Sequence, residues 1–251
     1  MKYSVLALLF WATALVGCNT VTKADEERAR LHLQIGTGYL AQGIYPQAMS
    51  ELLKAERLNP KDPAILNNLG LAYQVRGRLK KAEEKFRQAI KLDASFSDAK
   101  NNLARVLIDQ KEIDSAIKIL RQVEGDLTYP HAEKTFANLG MAYFEQGSFK
   151  QAEEYLLRSL ELQRGACTAS SFYGRTLQQQ NRLKQAAEAL DQAIENCRTA
   201  KFEDPLFYSA MSYFSIGDKE KTRARLEELL KDYPQSKYVA KAKGMLHLLE
   251  Q

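Results

Sequence analysis

Apolar residues recur at helical spacing along almost the whole chain, in pairs of short runs separated by polar or glycine-containing turns. The clearest pair runs from Glu133 to Arg164. Phe136, Leu139, Tyr143 and Phe144 mark one face before the break at Gln146-Gly147-Ser148, and Ala152, Tyr155, Leu156 and Leu160 mark one face after it. This predicts two amphipathic helices of roughly four turns joined by a tight turn. Gly140 and Ala152 fall where the two helices must approach closely. A hairpin of this size cannot bury both of its faces alone and needs a copy of itself on either side.

The chain supplies the copies. Leu139-Gly140-Tyr143-Ala152-Leu156 is matched by Ile35-Gly36-Tyr39-Ala48-Leu52, Leu69-Gly70-Tyr73-Ala82-Phe86 and Leu103-Ala104-Leu107-Ala116-Leu120. Tyr173-Gly174-Leu177-Ala186-Leu190 and the looser Ser209-Ala210-Tyr213-Thr222-Leu226 complete the set. The first member advances by 34, 34, 36, 34 and 36 residues. The pattern resembles the tetratricopeptide repeat, which implies an all-α fold: a right-handed superhelix, or α-solenoid, of six hairpins over residues 29–235. Pro60 and Pro234 close hairpins. Residues 236–251 carry Tyr238, Val239, Ala242, Met245, Leu246 and Leu249 among lysines, an amphipathic stripe suited to a C-terminal capping helix. The third repeat passes to the fourth through a junction longer by two residues, Gly125-Asp126-Leu127-Thr128-Tyr129-Pro130, which should alter the stacking or carry a local contact.

Composition adds little: 45% hydrophobic, 27% charged and a formal charge of +5, with both signs interspersed. That balance reads as a solvated helical exterior rather than a nucleic-acid surface. The N-terminus is more informative. Residues 1–17 read as an export signal, since Lys2 precedes an apolar run too short to span a bilayer comfortably. Leu15-Val16-Gly17-Cys18 resembles the bacterial lipobox, which implies cleavage before Cys18 and a diacylglycerol on its sulfur. Residues 18–28 then read as a polar lipidated tether. Asn19 stands where an Asp favours inner-membrane retention in such lipoproteins, which implies the periplasmic face of the outer membrane.

The segment from Tyr129-Pro130 through Phe136, Asn138-Leu139-Gly140, Ala152, Tyr155-Leu156 and Ser159-Leu160-Leu162 resembles the type IV pilus biogenesis lipoproteins called PilF, PilW or Tgl. Six repeats behind a lipobox extend the likeness, which weakens in the last two repeats. The resemblance implies a pilotin: an outer-membrane lipoprotein that binds the type IV pilus secretin subunit and promotes its localisation and multimer assembly. The other reading is a general periplasmic adaptor for envelope or outer-membrane protein assembly.

No phosphate loop, paired-cysteine zinc spacing or HExxH is present, and His32, His131 and His247 lie far apart. No enzyme activity, cofactor, metal, nucleic acid or small-molecule substrate is expected. Cys167 opens the first helix of the fifth hairpin and Cys197 ends the second, so the two ends lie side by side; an exported protein favours a disulfide there, and two unpaired core residues are the alternative. By register, the concave face is lined by the first helices. Leu33, Thr37, Leu40, Asn67, Leu71, Gln74, Asn101, Arg105, Ala137, Met141 and Phe144 are its candidate residues, a groove for a peptide or helix from a partner. Asn68, Asn102, Asn138 and Lys134 resemble the carboxylate clamp of chaperone-binding repeat proteins. Asp98 stands where a Lys is needed, so C-terminal carboxylate capture is not expected.

Overall fold

The structure is a computed structural model that describes residues 21–250. The export signal and Cys18 lie outside the described residues. Within them thirteen helices follow one another. The first helices of the hairpins are α1 (Lys23–Ala41), α3 (Pro63–Val75), α5 (Ser97–Asp109), α7 (Ala132–Gln146), α9 (Cys167–Gln179) and α11 (Asp204–Ser215). Their partners are α2 (Tyr45–Leu58), α4 (Leu79–Leu92), α6 (Ile113–Glu124), α8 (Phe149–Leu162), α10 (Leu183–Cys197) and α12 (Lys219–Asp232), and α13 (Val239–Leu249) caps the stack. Each first helix packs on its own partner and on the neighbouring first helices, and each after α1 also packs on the partner helix of the preceding hairpin. The result is the predicted solenoid, its core divided into successive clusters, the largest of which runs from Ala82 to Phe172 through the central repeats. Among the described residues, no helix is long and apolar enough to cross a membrane.

Two kinds of position set the hairpin geometry. A Cβ added to Gly70, Gly140 or Gly174 would lie 2.4–2.5 Å from Phe86, Leu156 or Leu190 of the partner helix, so only glycine permits this approach. Seven residues beyond each of these register positions the chain turns left-handed: Gly43, Gly77, Lys111, Gly147, Asn181 and Gly217 all have positive φ. Such a residue ends a helix by letting the next amide groups reach its last carbonyls. The turn is therefore the same in all six hairpins, although two of them fill it with a side chain that resists it.

The N-terminal helix starts earlier than the tether reading places it. Thr22 Oγ1 accepts from the Asp25 amide at 3.1 Å while Asp25 reaches back to the Thr22 amide at 3.3 Å. This capping box is worth about 1 kcal/mol and begins α1 at Lys23, so the segment from residue 23 to 28 is helix and not tether. The long junction carries the local contact expected of it: Tyr129 Oη donates to Asp98 at 2.7 Å, and Ser97 Oγ donates to Asp126 at 2.7 Å, pinning the loop to the start of α5.

Cys167 and Cys197 are joined by a disulfide with Cα atoms 4.7 Å apart, across a separation of 30 residues. On the chain-entropy model such a closure stabilises the folded state by about 3–4 kcal/mol. The outer helices are stitched by ion pairs between successive repeats, including Lys85 to Glu56 at 2.6 Å, Arg158 to Glu124 at 3.0 Å and Arg225 to Asp191 at 2.9 Å. Each is partly exposed and contributes little alone.

Candidate partner-binding face

The concave face is built from the first helices, and its first feature is a ladder of amide side chains. Thr37 Oγ1 donates to Asn68 at 3.1 Å, Asn102 to Asn67 at 2.9 Å and Asn101 to Thr135 at 3.0 Å, while Asn138 reaches the Asn101 carbonyl at 3.3 Å. Together these join α1 to α3, α3 to α5 and α5 to α7. The ladder fixes the fate of several predicted groove residues. Asn67, Asn101 and Met141 are only 6%, 2% and 2% exposed: they sit between repeats and offer little surface of their own. Buried amides must find partners, and neighbouring repeats supply them.

The remaining predicted positions do not form one surface either. Leu33 and Leu40 are half-buried against the core of the first two repeats, and Leu71 against the central core. Thr37 is exposed and Gln74 is half-buried. Arg105 reaches the Met141 sulfur at 3.5 Å, and its Nε faces the Asp109 carboxylate at 3.5 Å. Arg105, Asn101 and Ala137 border a polar pocket of about 470 Å³ together with Asn102, Lys134 and Asn138. These are the clamp-like residues, and Asp98 is turned away from them to Tyr129.

Phe144 leads to a group that the sequence reading did not reach. It stands edge-on to Phe172 at 5.3 Å, and the Arg175 guanidinium lies over Phe144, Phe172 and Tyr208 at 4.7, 4.4 and 4.5 Å. Aromatic faces attract such a cation. Arg175 directly follows Gly174, the same register as Arg105 after Ala104, so extending the register one repeat further finds it. Its Nε is buried without a hydrogen-bond partner, and its Nη1 is 3.8 Å from Asp204. Tyr238 Oη donates to the same carboxylate at 3.0 Å; burial, and then the Asp204 charge, push that phenol above its ordinary range and keep it a donor.

Beyond Tyr208 an apolar trough of about 730 Å³ opens between α11 and α13. Phe207 and Tyr238, stacked at 4.1 Å, are buried at its base, while Met211 and Leu248 are exposed. None of the predicted groove residues lines it. The sequence signal was present in Phe207-Tyr208 and Met211, which sit at helical spacing in a repeat whose consensus is loose, and in Met245 of the capping helix.

Next to this face, Asp191 on α10 gathers three donors from the sixth hairpin: Ser209 at 2.7 Å, Tyr213 at 2.7 Å and Arg225 at 2.9 Å. Burial alone would raise the Asp191 carboxyl, but these donors hold it below the ordinary carboxylate range. Burial and the Asp191 bond push the Tyr213 hydroxyl up to about 12. The three histidines are dispersed: His32 pairs with Glu51 at 2.6 Å, His131 stands beside Tyr129, and His247 is on α13. Among the described residues, no group of three His, Cys, Asp or Glu side chains is placed to hold a metal ion.

A stack of two-helix hairpins with a continuous inner face defines a helical-repeat scaffold for protein binding. Models described as TPR repeat and tetratricopeptide repeat match residues 23–74, 76–127, 131–199 and 206–236, and the chain belongs to the tetratricopeptide-repeat family. It is homologous to the type IV pilus assembly protein PilF of Pseudomonas aeruginosa, with 31% identity over 167 residues that span 63% of this chain and 66% of that protein. A solved structure from the functional characterisation of P. aeruginosa PilF has a TM-score of 0.70, covering 89% of this chain and all of that one at 24% identity. The crystal structure of PilW, described as a widely conserved type IV pilus biogenesis factor, has a TM-score of 0.74, covering 85% and 97% at 22% identity. At these identities the two structures bear on the fold. Family and fold together are those of a tetratricopeptide-repeat scaffold.

Proposed function

We propose that this chain is an outer-membrane lipoprotein that acts as a pilotin: it binds the type IV pilus secretin subunit and promotes its localisation and multimer assembly. The observation that carries the reading is the 31% identity to PilF, which extends over most of a solenoid with an accessible inner face. In this mechanism Cys18 bears the lipid after removal of residues 1–17. Only Asn19, Thr20 and Val21 then separate it from the Thr22 cap of α1. Two or three acyl chains give stable anchoring, at roughly 0.8 kcal/mol for each buried methylene. The short link holds the first repeat close to the bilayer, and the inner face engages the partner. The Cys167–Cys197 bridge braces the fifth hairpin behind that face.

The test is genetic. The gene is deleted, restored with wild type or Cys18→Ala, and the SDS-resistant secretin multimer is measured in isolated outer membranes. Multimer that vanishes on deletion and returns fully only with Cys18 supports the pilotin reading. Unchanged multimer in the deletion strain removes it and favours a general envelope adaptor.

A further inference from the structure

We propose that the trough between α11 and α13 is a docking site for an acidic segment carrying an apolar anchor residue, and that this segment belongs to the protein partner. The second clause rests on the scaffold function proposed above. The first rests on the trough itself.

Its floor is apolar and adaptable. The stacked rings of Phe207 and Tyr238 form a rigid base, while Met211, Met245 and Leu248 supply flexible walls. Unbranched, polarisable methionines can repack around different anchors, a property of surfaces that take peptides. Met211 directly follows Ala210, the register that Arg105 and Arg175 occupy on the concave face, so the trough continues that face and is not a separate cleft. Gly244 lines it in the middle of α13, where glycine is unfavourable, and a Cβ built there would meet nothing within 4 Å. No packing contact among the described residues requires this glycine. Its bare backbone leaves room for a ligand to come close.

The rim is positive. Lys241 lies over the Phe207 ring at 6.0 Å and Lys237 over the Tyr238 ring at 4.8 Å, with Arg175 deeper, against Tyr208. The carboxylate beneath them, Asp204, is buried and already shared: it accepts from Tyr238, pairs with Lys237 at 3.0 Å and faces Arg175 at 3.8 Å. Lys241 lines the trough itself, and Lys237 and Arg175 beyond it share the one carboxylate of Asp204, so an incoming carboxylate meets an excess of positive charge. Charge of this kind selects acidic partners and speeds their capture, while the apolar floor holds them. A basic amphipathic segment would suit the floor and be repelled by the rim.

The full mature chain in detergent micelles is titrated against three labelled peptides that share a Leu-Phe centre, flanked by Glu and Asp, by Ser or by Lys, with fluorescence anisotropy as the readout. The expected result is that the acidic peptide binds at least tenfold more tightly than the basic one and loses most of that advantage at high salt. Met211→Glu and Lys241→Glu each reduce acidic-peptide binding at least tenfold, and Lys241→Glu narrows the preference over the basic peptide. Both residues are exposed, and unchanged melting curves confirm that the variants fold. Equal binding of the acidic and basic peptides, or unaltered binding by both variants, overturns the proposal.

The same two variants are then tested with the purified secretin subunit. Weaker binding in step with the peptide result supports the assignment to the partner. A subunit that binds wild type and variants alike leaves the scaffold function standing and overturns that assignment. A subunit that binds none of them, while the acidic peptide still distinguishes wild type from Met211→Glu, supports the chemistry of the trough and contradicts the secretin reading instead.

Discussion

The two ends of the solenoid treat the same problem in opposite ways. At the C-terminal end, α13 lies across the last hairpin, so that Phe207, Ala210 and Leu229 are buried and Tyr238 stacks on Phe207. At the N-terminal end nothing among the described residues covers the equivalent edge. Leu31 and Ile35 are 56% and 39% exposed, whereas Ile65 and Leu69, the same register positions one repeat later, are fully buried by the preceding hairpin. Among the described residues, then, the inter-repeat surface is closed at the C-terminal end only. Proximity to Cys18 places the open end next to the bilayer in the function proposed above.

The comparison is broken most severely by removing the cap. Ending the chain after Pro234 deletes Tyr238, Ala242 and Leu249, and is expected to cost roughly 3–5 kcal/mol, the scale of losing one or two large buried side chains. Hydrogen exchange should show lost protection in α11 and α12 and little change in α1 to α4, because solenoid stability is carried by nearest neighbours. Uniform loss along the chain would contradict that independence.

Equivalent substitutions at open and closed edges come next. Leu69→Ala should destabilise by about 3 kcal/mol in urea unfolding, and Ile35→Ala by less than about 1 kcal/mol. Equal costs would mean that the N-terminal edge is covered in solution.

A smaller effect separates the halves by pH. The Asp191 carboxyl is held below its unfolded value of about 3.9, so its bonds stabilise the junction of the fifth and sixth hairpins above that pH. That contribution fades as pH falls through the lower folded value. Asp191→Asn should cost about 1 kcal/mol at pH 7, and the difference between variant and wild type should shrink below about pH 4. A difference that persists undiminished in acid would show that the charge is not what matters.

The smallest change improves the fold. Lys111 adopts φ 67 at a turn where four other hairpins use glycine. Lys111→Gly is expected to gain up to about 1 kcal/mol, less the exposed ion pair to Glu145, and melting temperature is the readout. A lower melting temperature would show that the ion pair outweighs the strain.

Much of this architecture is legible in the residues because the repeat makes each constraint visible several times. Gly36, Gly70, Gly140 and Gly174 recur where a partner side chain crowds the backbone, and the spacing alone locates the six hairpins. The inner face was less legible for a physical reason. Register gives the direction a side chain points from its helix and says nothing of the depth at which it ends. Asn67, Asn101 and Met141 point toward the concave side yet are largely covered by neighbouring repeats, where Asn102 bonds Asn67, Thr135 accepts from Asn101 and Arg105 reaches the Met141 sulfur. The trough between α11 and α13 escaped because the sixth repeat replaces the glycine with Ala210 and the usual alanine with Thr222, so it reads as a weak copy. Thr22 and Asp25 look like polar tether residues until their spacing is read as a capping box.

The amide ladder also has a mechanical meaning. It ties α1, α3, α5 and α7 side by side through directional bonds, and Gln178 resumes the pattern by donating to Ser212 at 3.1 Å between α9 and α11. Between α7 and α9, among the described residues, no amide of this ladder crosses; on the inner face the edge of Phe144 meets Phe172 with Arg175 over both rings, while on the outer side Gln180 and Arg182 bond Glu153 of α8. Bending of the superhelix is therefore expected to concentrate there, dividing a stiff arm of four repeats from a shorter one that carries the disulfide and the trough. A partner held by both arms would feel the molecule as a hinge with one pivot.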